Sequence, residues 1–170
     1  MKLKFFVNLL FIISFNSLVS CKKSNLNPEI AELCPQDGNT IGIIIDDDEK
    51  HCLDWSEATR IEDGNLRIFQ IKYGKTWEET VRLSLVANRF KGKGKYNVIV
   101  KEFTNGWNGK NENFTNNESI PNGTLEISKC EELKDQNYYL LDGGFNLKIK
   151  FTNGSIRTIN SYFKSLKVQK

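Results

Sequence analysis

Hydrophobic and polar residues alternate through several stretches of the chain at the two-residue period of a half-buried strand. Phe145, Leu147, Ile149 and Phe151 share one face, opposed without a break by Asn146, Lys148 and Lys150. Val81, Leu83 and Leu85 oppose Arg82 and Ser84 in the same way. Over Tyr96 to Lys101, Tyr96, Val98 and Val100 oppose Asn97 and Lys101, and Ile99 breaks the rule. Weaker strand patterns cover Thr40 to Ile45, Leu66 to Tyr73, Thr124 to Ser128 and Ser155 to Phe163.

Between these runs recur Asp37-Gly38, Asp63-Gly64, Asn105-Gly106, Asn108-Gly109, Asn122-Gly123, Asp142-Gly143 and Asn153-Gly154. Asn-Gly and Asp-Gly supply the positive φ that tight hairpin turns demand. The pattern predicts an all-β domain, an antiparallel β-sandwich or flattened barrel of about seven or eight strands. Helix signals are sparse. Asn27-Pro28 suits one short turn, and Thr76-Trp77-Glu78-Glu79 fits a capping box that the alternation from Val81 overrides. Tyr96 to Gly106 echoes Phe145 to Gly154 with one extra residue, which a β-bulge near Glu102 absorbs.

The N-terminus follows a different pattern. Lys2 and Lys4 precede an apolar run from Phe5 to Val19 that is shorter than the ~20 residues a membrane span requires. It reads as a signal peptide over residues 1–20. Leu18-Val19-Ser20-Cys21 resembles the lipobox of bacterial lipoproteins. That resemblance implies that the Cys21 thiol is lipidated, the peptide is cut before it and the new amine is acylated. Each buried methylene contributes ~0.8 kcal/mol and two chains suffice for stable anchoring, so a triacylated Cys21 holds the protein to a membrane without a helix. Lys22 and Lys23 follow, without the aspartate that resembles an inner-membrane retention signal or the acidic cluster that resembles a surface-export signal. The expected location is the outer membrane, lipid-anchored and facing the periplasm. Residues 21–39 then form the lipidated tether and N-terminal segment, and 40–170 the β-sandwich domain.

Removing the signal peptide takes away two lysines and no acid, so the formal charge falls from +3 to +1. Net charge therefore gives no ground for a nucleic-acid partner. Cys34, Cys52 and Cys130 remain, and an oxidising compartment permits one internal disulfide. The expected pairing is Cys34 with Cys52, tying the N-terminal segment to the first strand region; either pairing with Cys130 is the alternative. No Cys-x-x-Cys motif occurs and the chain has a single histidine, so no metal or other cofactor is expected.

A second resemblance rests on Gly92-Lys93-Gly94-Lys95-Tyr96, Gly123-Thr124-Leu125-Glu126-Ile127, Gly144-Phe145-Asn146-Leu147 and a last strand ending near Phe163, with Trp55 upstream. Together these resemble a family of small Bacteroidetes-type lipoproteins of unknown function, from about Cys52 to Val168. The resemblance implies an all-β fold and no catalytic residue.

Candidate sites divide as follows. Asp46-Asp47-Asp48-Glu49 lacks EF-hand spacing, because His51 stands where that loop needs glycine, and reads as a solvated acidic turn. His51 has no nucleophile elbow or catalytic-cysteine context. Arg89 to Lys95 lacks phosphate-loop spacing and a following helix, and reads as a basic hairpin turn. Lys101, Lys148 and Lys150 with Arg82 and Arg157 form a basic stripe if their strands are neighbours. The Asn-x-Ser/Thr sequons read as turn residues.

The candidate binding loop is Phe103 to Gly123, where Trp107 and Phe114 lie among asparagines. The expectation is a non-enzymatic protein that meets the membrane through lipid on Cys21 and binds a protein or glycan partner. The alternatives are a periplasmic enzyme inhibitor or immunity protein and, less favoured, an envelope hydrolase.

Overall fold

The computed structural model describes Cys34 and residues 38–54, 59–73, 79–110, 112–115 and 121–170. The signal peptide, Cys21, Trp55 and the helix signals at Asn27-Pro28 and Thr76 to Glu78 lie outside the described residues.

The fold is all-β. Its strands are β1 (Ile41–Ile45), β2 (Glu49–Leu53), β3 (Arg60–Glu62), β4 (Asn65–Lys72), β5 (Val81–Ala87), β6 (Gly94–Asn105), β7 (Glu112–Thr115), β8 (Gly123–Leu133), β9 (Tyr138–Lys150) and β10 (Ile156–Gln169). These ten exceed the expected count because β2, β3 and β7 carry too little alternation to be read from sequence. They form one sheet in the order β2-β1-β10-β3-β4-β5-β6-β8-β9, with β7 added to β6. β9 also pairs with β10, and β10 reaches β3 through one parallel pair, Gln169 with Arg60. The sheet therefore curves round on itself as a flattened barrel whose seam is that short contact. All other pairings are antiparallel.

Alternation fills the interior. Val81, Leu83, Leu85 and Ala87 of β5 are buried while Arg82, Ser84 and Val86 keep solvent access. Opposite them stand Phe145, Leu147 and Ile149 of β9 and Ile159 and Phe163 of β10, all in one continuous core.

Register shifts let long strands bend while apolar side chains stay inward, in β6, in β10 and in the β8–β9 pair between Ile127 and Lys129. In β6 the extra residue is Lys101, between Val100 paired with Leu85 and Glu102 paired with Ser84. This is the bulge that the longer sequence echo requires. In β10 the irregularity lies between Phe163 and Leu166, where Ser165 adopts a left-handed φ of 54° and its N–H bonds Asp142 Oδ1 at 2.7 Å. Inward positions thus switch from Ile159, Ser161 and Phe163 to Leu166 and Val168. Gly143 makes the bend possible, because a β-carbon there would strike the Glu126 carbonyl oxygen and press on the Phe163 ring.

Candidate functional site

Charge gathers in two places. The first is the end of the barrel where the β1–β2 turn meets β6, β7 and β10. Asp46 and Asp47 turn the chain with φ of 49° and 64°, a conformation Asp tolerates better than most residues. Asp46 to Asp48 form an exposed turn, as the sequence suggests, and two of the three are tied to β10. Asp46 accepts Arg157 Nη1 at 2.9 Å and the Thr158 N–H at 2.8 Å, and Asp47 accepts Asn160 Nδ2 at 3.4 Å. Arg157 also donates from Nε and Nη2 to Glu112 Oε1, at 2.8 and 2.6 Å. Glu112 is buried, and its other oxygen accepts Asn105 Nδ2 at 3.1 Å.

That amide also donates to Glu49 Oε1 at 3.2 Å, and Glu49 pairs with Lys110 and accepts a hydrogen bond from His51 Nε2–H at 2.6 Å. One chain of contacts therefore runs Asp46–Arg157–Glu112–Asn105–Glu49–His51, joining four strands and a turn.

His51 is only 2 % exposed, and its Nδ1 is buried without a hydrogen-bond partner. Burial lowers the imidazole pKa, against the opposing hydrogen bond and charge of Glu49, and Lys72 and Lys110 lower it further. Burial by itself raises the Glu49 carboxyl, but hydrogen bonds from Lys110, His51 and Asn105 and the charge of His51 outweigh it, leaving the pKa lowered. Among the described residues no group of three His, Cys, Asp or Glu is placed to hold a metal ion.

Trp107 and Phe114, the sequence's candidate binding pair, both sit at this end. Phe103 to Asn105 finish β6, Trp107–Gly109 form a single 3-10 turn, and Glu112–Thr115 return as β7. The Trp107 N–H is held by Asn105 Oδ1 at 3.1 Å. Its ring meets the His51 ring edge-on at 5.4 Å, and Lys72 Nζ lies 4.0 Å from its centroid. Phe114 stands opposite the fully buried Phe103 in the ladder, and Trp107 and Phe114, both half-buried, pack on the core. Behind them Cys34 and Cys52 form a disulfide with a Cα–Cα distance of 5.6 Å. Cys130 is a free, half-buried thiol whose pKa is raised by burial and by Glu132.

The second place is the solvent face of β3 to β6, where a groove of about 530 Å³ opens. Ladder register puts Arg67, Val86 and Ile99 in one row across β4, β5 and β6, and Phe69 beside Ser84 in the next. Phe69 and Val86 are half-buried, while Ile99 is 6 % exposed and forms the floor. Arg60 lies directly across from Arg67, a like-charge pairing that Glu62 relieves by bonding Arg60 Nη2 at 3.1 Å and Arg67 Nε at 2.8 Å. The bulge residue Lys101 lines the groove from β6, and Asn65 and Asn88 line it beside the turns. Among the described residues the lining holds three cations and no carboxylate, and Glu62, outside the lining, bridges two of them.

Sequence reasoning missed this groove. Its one visible sign was Ile99, the apolar residue on the polar side of its strand. The proposed basic stripe divides instead. Arg82 and Lys101 are on the paired strands β5 and β6, Lys148 and Lys150 are on β9 beyond β8, and Arg157 is bound to Glu112 and Asp46. The Arg89 to Lys95 segment is the β5–β6 turn, pinned by Tyr96, whose hydroxyl accepts the Lys91 N–H at 3.1 Å and donates to the Gly92 carbonyl at 2.7 Å. Comparison of the chain with protein-family models, with curated proteins and with solved structures finds no match.

Proposed function

We propose that this protein is a lipid-anchored envelope lipoprotein that binds a partner without catalysis, through the groove on the outer face of β3 to β6. One observation carries the binding reading: a solvent-facing concavity lined by Arg60, Arg67 and Lys101, with accessible apolar area on Phe69 and Val86 and no lining acid. A sheet's solvent face needs neither apolar residues nor unbalanced charge for stability, and the combination suits recognition. The non-catalytic reading draws on His51, whose imidazole is committed to Glu49 and closed off beneath Trp107. The anchor rests on the lipobox resemblance at Leu18 to Cys21, and the periplasm-facing outer membrane is the location that goes with it.

Expression in a Gram-negative host fed a labelled fatty acid tests the anchor. The full chain is expected to carry the label and sediment with outer membranes, and Cys21→Ser to lose both properties. Label retained by the serine variant would end the anchor reading.

A further inference from the structure

We infer that the occupant of the β3–β6 groove is an acidic polypeptide segment in which carboxylates alternate with apolar side chains. The inference rests on the groove being the binding surface proposed above, and specifies the chemistry it takes.

Glu62 shows how the site handles a carboxylate. Two guanidinium groups from neighbouring strands converge on its two oxygens, Arg60 Nη2 on one and Arg67 Nε on the other. Each guanidinium has five N–H donors, so both retain donors after binding Glu62. Lys101 makes no ion pair among the described residues, and its stem is half-buried at the bulge. It stands two strands from Arg67, and adjacent strands lie about 4.8 Å apart. Arg67 and Lys101 are therefore about 10 Å apart across the sheet and Arg60, one strand further, about 14 Å from Lys101, wider than one phosphate or one carboxylate fills.

Between them lie Phe69 and Val86, which have apolar surface to lose on binding. An extended peptide repeats side chains on one face about every 6.8 Å, so acid, apolar and acid side chains of alternate residues span such a site. An acidic polysaccharide would meet the cations but leave its hydroxyls against Val86 and Ile99, where neither side chain offers a hydrogen bond. Of the two, the peptide matches both the charge and the floor.

Fluorescence anisotropy with the full chain in non-ionic detergent micelles tests the inference. The probe is a short labelled peptide repeating Glu-Ser-Leu-Ser, which when extended presents glutamate and leucine in turn along one face. The comparators are the same peptide with lysine for glutamate, and labelled polygalacturonate. The glutamate–leucine peptide is expected to bind saturably and to weaken as salt rises, and the lysine peptide not to bind. Lys101→Gln and Phe69→Ala are each expected to weaken binding about tenfold, with the circular-dichroism spectrum unchanged.

No binding of the glutamate–leucine peptide to the wild-type chain overturns the inference. If polygalacturonate binds instead and Lys101→Gln removes it, the groove stands and the peptide assignment falls. If the peptide binds but both substitutions leave its affinity unchanged, the groove itself is the wrong surface.

Discussion

The barrel end and the outer-face groove both concentrate charge, and they use it in opposite ways. At the end, Glu49, Glu112, Asp46, Lys110 and Arg157 each find a partner far away in sequence, so every contact fastens one strand or turn to another. In the groove, two arginines share one carboxylate contributed by their own hairpin, and Lys101 contributes a charge with no counterpart. Charge answered within the chain acts on stability. Charge left unanswered over apolar side chains is available to something else. The difference lies in the count of partners, not in the residue types.

The largest effect expected from this contrast is at Glu112. Its buried carboxylate accepts two N–H groups of Arg157 and one from Asn105, and no other acid at that end reaches both partners. Glu112→Ala leaves the Asn105 amide with Glu49 as its remaining acceptor and removes the acceptor of Arg157 Nε and Nη2. Stability is expected to fall by about 2–3 kcal/mol, less than for a fully buried pair because Arg157 is partly exposed. Urea denaturation of the full chain in detergent reads this as a lower midpoint with an unchanged slope. A change under about 0.5 kcal/mol would mean that the network decorates this end without holding it.

A smaller effect is expected from pH, through His51 and Glu49. In the unfolded chain the imidazole gains a proton as pH drops through about 6.5, while the folded imidazole, its pKa lowered, stays neutral to lower pH. Within that window the unfolded state binds more protons, so acidification destabilises the fold. Glu49 adds to this further down: its folded carboxyl has a lowered pKa, so the stability it contributes above about 4.3 is lost as pH falls towards the folded value. The urea midpoint should therefore be lower at about pH 5.5 than at about pH 7.5. His51→Gln, which keeps a side-chain donor for Glu49 and does not titrate, should flatten that dependence. A wild-type midpoint indifferent to pH across this range would show that burial of His51 is not felt by the fold.

How much of this was legible in the sequence depended on whether an element faces water on one side. β5 alternates strictly and was readable residue for residue, as was the second half of β9, because one face of each packs on the core. β2 was hidden by its own function in the network: His51 occupies a core-facing position where alternation demands an apolar residue, and Glu49 carries the acidic run into the strand. β7 has four residues in an asparagine-rich stretch and exists because it pairs with β6.

The far halves of β8 and β9, through Leu133 and Tyr138, are largely solvent-exposed, so no burial pattern marks them and hydrogen bonding alone extends the hairpin. Trp107 and Phe114 were visible in the sequence as aromatics among asparagines, but a side chain's direction is set by the turn that carries it, and the 3-10 turn directs Trp107 onto His51. The groove spans four strands whose adjacency only the sheet order supplies.

The smallest effect on stability, and the sharpest comparison, is expected at Lys101. It sits at a bulge, has no ion-pair partner among the described residues, and its neighbours Arg60 and Arg67 are cations. Lys101→Gln keeps most of the stem that packs on the sheet and removes only the charge. If the groove is a binding surface, the urea midpoint should stay within about 0.5 kcal/mol of wild type, or rise slightly as cation repulsion is relieved. At the barrel end the same kind of change, Lys110→Gln, removes a charge that Glu49 answers, and the midpoint should fall more. Two lysines of one fold, each exchanged for the same neutral residue, thus separate the roles directly. A loss at Lys101 matching that at Lys110 would mean that both charges serve the fold, and the groove would lose its claim to a ligand.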